Sequence, residues 1–117
     1  HLLASGVQRG AHGAYSNAAC LNPAAAQRWA EQMKTDMPGA RQVEKRLCRF
    51  MDEYIVPFIT QQKYCNGACD RFLAVLGGCA DVGWRMRWPY RSIPVSELPR
   101  LRAEAAPAAT AFGSSAK

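Results

Sequence analysis

Five cysteines hold most of the chemistry open to this 117-residue chain: Cys20, Cys48, Cys65, Cys69 and Cys79, the last four inside residues 48–79. Thiols this dense in a short chain point to a disulfide framework formed in an oxidising compartment, and an odd number leaves at least one sulfur unpaired. Cys65-x3-Cys69 is also half of a soft-metal site, since thiolates favour zinc and copper. A structural zinc site needs four ligands in paired spacing, however, and the histidines, His1 and His12, lie far away in the sequence. No metal and no cofactor is therefore expected. As a redox-active pair, Cys65 and Cys69 lack the C-x-x-C context that lowers a thiol pKa.

Catalysis finds little else to work with. Neither histidine stands beside a candidate nucleophile, no glycine-rich phosphate loop follows a strand, and Asp52 and Glu53 fall on the polar side of a helical pattern. The chain reads as a non-enzyme. A second group of residues speaks for binding instead: Trp84, Trp88 and Tyr90 are interleaved with Arg85, Arg87 and Arg91. Arginines that neutralise phosphates beside aromatics that stack on bases would suit a nucleic acid. Tryptophan and arginine are equally the residues most enriched at protein-interface anchors, and no RNA-binding motif is in view. Partner binding through Trp84, Arg87, Trp88 and Arg91 is the favoured reading. Nucleic acid is the rival.

The net charge of +6 is unevenly spread: no Asp or Glu precedes Glu31, although Arg9, Arg28 and both histidines do. An acid-free, Ala/Ser/Gly-containing start, with His1 rather than Met in first place, resembles the end of an organelle-targeting segment and is expected to be an extended arm over residues 1–21. No apolar run approaches the length of a membrane span, so a soluble or peripheral chain is expected.

Helical signals begin at Asn22-Pro23, a capping residue followed by a proline at the first helical position. The helix they open carries Trp29, Met33 and Met37, read as packing residues, and is expected to stop at Pro38-Gly39. Val43, Leu47, Met51, Tyr54 and Phe58 then line one face of the strongest helix, opposite Arg41, Glu44, Lys45, Arg49, Asp52 and Glu53. Arg49 and Glu53 are spaced for an i,i+4 ion pair. Pro57 should end or kink that helix near residues 54–56. After a connection with a turn at Asn66-Gly67, a shorter helix carries Cys69, Phe72, Leu73 and Leu76 and closes at Gly77-Gly78. Short connections favour antiparallel neighbours, giving a hairpin over residues 40–79 inside a helical domain at 22–82. Pro89, Pro94 and Pro99 recur every five residues, and the segment 83–117 is expected to be an extended docking tail. Its Ala/Ser/Pro end is assigned no role.

Such a hairpin would bring Cys48 opposite Cys79, and a bridge there would contribute about 3–4 kcal/mol by restricting the unfolded chain. The arrangement resembles the twin C-x9-C, or coiled-coil-helix-coiled-coil-helix, proteins of the mitochondrial intermembrane space, on the strength of Cys69-x9-Cys79 and of Cys48 in the preceding helix. Where the family has a further cysteine, nine residues beyond Cys48, this chain has Phe58, which would fill the space of the inner bridge. Cys69 is then left to pair with Cys65 or with Cys20, or to remain reduced. Within that superfamily, Cys48-Arg-Phe-Met-Asp-Glu-Tyr54 and the tryptophans Trp84 and Trp88, four apart after the last cysteine, are similar to the subunit VIb family of cytochrome c oxidase.

The resemblance implies an all-α fold: a disulfide-stapled antiparallel helical hairpin with an additional N-terminal helix and extended arms. It implies an accessory subunit on the intermembrane-space side of the oxidase, peripheral to the inner membrane, that works by contact with other subunits and binds no metal or haem. Phe58 would serve the hairpin core or its docking face. An accessory subunit of another respiratory complex, and a basic mitochondrial ribosomal protein, are the alternatives.

Overall fold

Several of the helices begin or end where a local backbone requirement is met. The computed structural model describes residues 1–111, with side chains described as far as Ala105. Its elements are α1 (Leu3–Gln8), α2 (Asn17–Leu21), α3 (Pro23–Gln32), α4 (Met37–Phe50), a π-helical turn (Met51–Ile55), α5 (Val56–Thr60), α6 (Asn66–Gly77), a 3-10 turn (Val95–Glu97) and α7 (Leu98–Ala111). The described residues contain helices and no strand, as expected for the all-α class.

The cap of α3 forms as its sequence requires: the Asn22 side-chain oxygen accepts from the Ala25 N–H at 3.0 Å, with Pro23 at the helix start. Pro38-Gly39 acts differently from expectation. It lies inside the first turn of α4, where a missing N–H costs nothing, and the Asp36 carboxylate caps that turn by accepting from the Gly39 N–H at 2.9 Å. Although the helical path continues, the regular α-helix is interrupted before Pro57, as expected. The π-helical turn immediately before it shifts the hydrogen-bond ladder, so that Pro57 falls in the first turn of α5. Further on, Gly78 takes the left-handed conformation at φ 63° and closes α6.

Two apolar clusters hold the helices. Ala4, Ala18, Ala25, Ala40, Trp29, Met33, Val43 and Leu47 form one. The alanines let α1, α3 and α4 approach closely around Trp29, whose indole N–H donates to the Ala40 carbonyl at 2.9 Å. The other gathers Phe50, Ile55, Phe58, Phe72, Leu73, Ile93 and Leu101. Helix α2 joins them, with Ala18 in the first cluster and Leu21 in the second.

Both expected arms are corrected. Residues 1–21 are not extended: α1 docks on α4, where the buried Glu44 carboxylate accepts from the Ser5 N–H at 2.9 Å, from the Ser5 hydroxyl, and from Arg41 at 3.1 Å. Glu44 therefore does not belong to the solvated face, and its burial is made tolerable by these donors. Nor is the segment from 83 extended throughout. Leu98, Leu101 and Ala105, at helical spacing, bury one side of α7 against α4, and Pro99 sits in the first turn, where proline is tolerated. Residues 112–117 of the predicted tail lie outside the described residues.

The disulfide staple expected for the hairpin is not shown. All five cysteines are free thiols. The sulfur of Cys48 lies 3.9 Å from the His1 carbonyl oxygen and that of Cys79 lies 3.8 Å from the Cys20 carbonyl oxygen, so the two have different neighbours. Helix α6 meets α5 through the rings of Phe58 and Phe72, 5.9 Å apart, but it lies chiefly on α2 rather than along α4.

Candidate partner-binding site

Residues 80–93 leave the end of α6 without regular structure and cross the surface as a strap. Four contacts fix its course. Arg71 of α6 donates to the Gly83 carbonyl at 2.9 Å, and the Met86 N–H donates to the Ser92 hydroxyl at 2.7 Å. A turn is closed by the Tyr90 N–H donating to the Arg87 carbonyl at 3.0 Å. Arg91 donates to the Gln62 carbonyl at 2.5 Å with its guanidinium over the Tyr64 ring, 4.6 Å from the centroid. Beneath these, Met86 packs against the main cluster and Ile93 is buried within it. The Trp88–Pro89 peptide at the tip is cis.

A strap held at both ends presents its middle to solvent. Trp88 is 93% exposed and Tyr90 58% exposed, with the exposed Arg85 and Arg87 on either side of Met86. Trp84 is half-buried under the Arg85 guanidinium, 5.4 Å from its ring. Of the predicted binding residues, Trp84, Arg87, Trp88 and Arg91 are thus brought onto one strap. Arg91 is partly engaged inside the chain, which makes it an anchor of the strap as well as a surface charge.

Phe58 is not part of this surface. It is 2% exposed, enclosed by Phe72 and by the Tyr64 ring at 6.0 Å, and is a core residue. Its helical register with Val43, Leu47, Met51 and Tyr54 already carried that signal. The anchoring residues Gln62, Arg71, Met86 and Ile93 were not singled out from the sequence. Only Ile93, a lone branched apolar residue between Ser92 and Pro94, offered a clue.

The predicted sulfur sites have their own geometry. Cys65 is half-buried at the N-cap of α6, and Cys69 is buried one turn on. Burial first, then the Asp70 carboxylate and Cys65, push the Cys69 thiol up to about 11. Burial likewise raises Cys48, helped by Glu44 and Asp52, and raises Cys20, helped by Asp70 and Cys79. Thiols held protonated at neutral pH are poor nucleophiles and poor metal ligands. Among the described residues no three His, Cys, Asp or Glu side chains converge as a metal site, and no helix is long and apolar enough to cross a membrane.

No protein-family model, curated protein or solved structure matches this chain.

Proposed function

We propose that this chain is a non-catalytic accessory subunit of a larger assembly and that it docks through the Trp84–Arg91 strap. One observation carries the reading: a tryptophan exposed over 93% of its surface stands on a segment tied down by Arg71, Met86, Arg91 and Ile93. A large aromatic beside an arginine on a fixed frame is the composition of an interface anchor, because little ordering entropy remains to be lost on binding. Truncating such an anchor typically costs at least about 2 kcal/mol of binding.

For the parent assembly, the Cys48-to-Tyr54 segment, Cys69-x9-Cys79 and the paired tryptophans support cytochrome c oxidase on its intermembrane-space side, with the chain stabilising contacts between subunits. A stapled hairpin would belong to that reading only if Cys48 and Cys79 were joined after a rearrangement on assembly. The rival is ribosomal RNA. It is favoured by Arg85, Arg87 and Arg91 lying beside exposed aromatic rings.

The test is native electrophoresis of mitochondria carrying the tagged chain. Wild type should migrate with haem absorbance and oxidase activity, and Arg87→Ala/Trp88→Ala should release it as a folded monomer. Sedimentation with ribosomes in a salt-sensitive manner would overturn the assignment in favour of RNA.

A further inference from the structure

The end of α2 and the end of α6 meet more closely than any side-chain packing would require. A Cβ placed on Gly77 would collide with the Leu21 carbonyl oxygen and crowd the Leu21 backbone, so only glycine lets the two helix ends touch. Nearby, the Asn17 amide donates to the Asp70 carboxylate at 2.5 Å and fixes the rotation of α2 on α6. One residue before Leu21 stands Cys20, and two residues after Gly77 stands Cys79. The left-handed Gly78 turns the chain so that the Cys79 sulfur faces the Cys20 carbonyl oxygen, 3.8 Å away.

From this juxtaposition we infer that Cys20 and Cys79 are a redox-modifiable pair, closed as a disulfide by exchange with a small-molecule disulfide. The pairing differs from the Cys48–Cys79 bridge, and it does not depend on which assembly the chain joins. It would tie residues 59 positions apart in sequence.

The two sulfurs differ in access, and the difference orders the steps. Cys79 is exposed whereas Cys20 is half-buried and packed against the main cluster. The Cys79 thiol loses its proton to solvent, and its sulfur attacks one sulfur of the external disulfide, breaking that S–S bond and releasing one thiolate. Cys20 then loses its proton, and its sulfur attacks the Cys79 sulfur of the mixed disulfide, expelling the second thiolate. Two protein thiols are oxidised by two electrons in all, one disulfide is reduced to two thiols, and the protons balance.

Burial and the neighbouring Asp70 keep Cys20 protonated in the reduced chain. That favours a slow second step, with the mixed disulfide at Cys79 accumulating before closure. The consequence for the fold is specific, because α2, like α4, contributes residues to both apolar clusters. A bond from Cys20 to Cys79 would lock α2, and with it the seam between the clusters, onto α6.

The test uses the full chain incubated with glutathione disulfide, quenched by alkylation and mapped by mass spectrometry. The expected product is a disulfide link between the peptides of Cys20 and Cys79, lost on adding a reductant and preceded by a glutathione adduct on Cys79. Oxidation should raise the urea midpoint of wild type and of Cys48→Ser, and leave those of Cys20→Ser and Cys79→Ser unchanged. Circular dichroism of the reduced variants should match wild type. A link at Cys65–Cys69 or Cys20–Cys69, or a terminal glutathione adduct on Cys79 with no internal link, would overturn the inference.

Discussion

Replacing Gly77 by alanine should destabilise the protein, although alanine is the better helix former. In an isolated helix the change would gain up to about 1 kcal/mol. Here the added methyl would strike the Leu21 backbone, which has no flexible side chain to give way, so α2 must move off α6. Exposing Leu21, now 4% exposed, forfeits about 1.5–3 kcal/mol, and loosening the Asn17–Asp70 hydrogen bond adds about 1 kcal/mol. The net loss is about 2–3 kcal/mol, out of a total that is ordinarily about 5–15 kcal/mol. With a urea slope of about 2 kcal/mol per molar, the midpoint should fall by about 1 M or slightly more. Gly67→Ala is the control in the same helix: its Cβ would meet only the Met86 methyl at 3.7 Å, an ordinary contact, so the midpoint should hold or rise. Should Gly77→Ala match or exceed wild type, the close seating of α2 on α6 would be refuted.

Three further outcomes follow from the same geometry. Leu101→Ala should cost about 2–5 kcal/mol in chemical unfolding, because its fully buried side chain fastens α7 to the main cluster; an unchanged midpoint would restore an undocked tail. Phe58→Ala should cost about 3–5 kcal/mol in the same assay, whereas Trp88→Ala should leave folding stability unchanged, separating the core aromatic from the exposed one. Asp36 is held below its ordinary value of 3.8 by the Gln32 amide and then the Gly39 N–H, so its contribution is present above that value and lost as pH falls through the lowered one. Thermal melts from pH 7 downward should therefore show wild type losing stability relative to Asp36→Asn only in the acid range.

Local signals were legible and distant ones were not. The Asn22 cap, the apolar face from Val43 to Phe58, the Arg49–Glu53 pair at 2.8 Å and the glycine close of α6 depend on residues within one or two turns of each other. Two prolines misled: Pro38 and Pro99 open helices, because a proline is disruptive only where an N–H is needed, whereas the interruption expected before Pro57 takes the form of a π-helical turn. Helix α1 is too short for periodicity to reveal, and its place depends on Glu44, 39 residues from Ser5.

The candidate site was readable as composition, since alternating tryptophan and arginine without helical spacing implies an exposed segment. Its frame was not, because Arg71, Gln62 and Ile93 act on the strap from elsewhere in the chain or from within the core. Cysteine spacing drew attention to Cys48 and Cys79, yet what lies beside a sulfur is decided by which helices pack, and α6 packs on α2.

Contact through the strap is tested most directly by placing a photoreactive benzophenone amino acid at position 88, in mitochondria that still assemble the tagged chain, and identifying what it captures on irradiation. Covalent capture of an oxidase polypeptide, abolished by the additional change Arg87→Ala, is the predicted result. Capture of ribosomal RNA, or an oxidase-associated chain that forms no adduct from position 88, would contradict it.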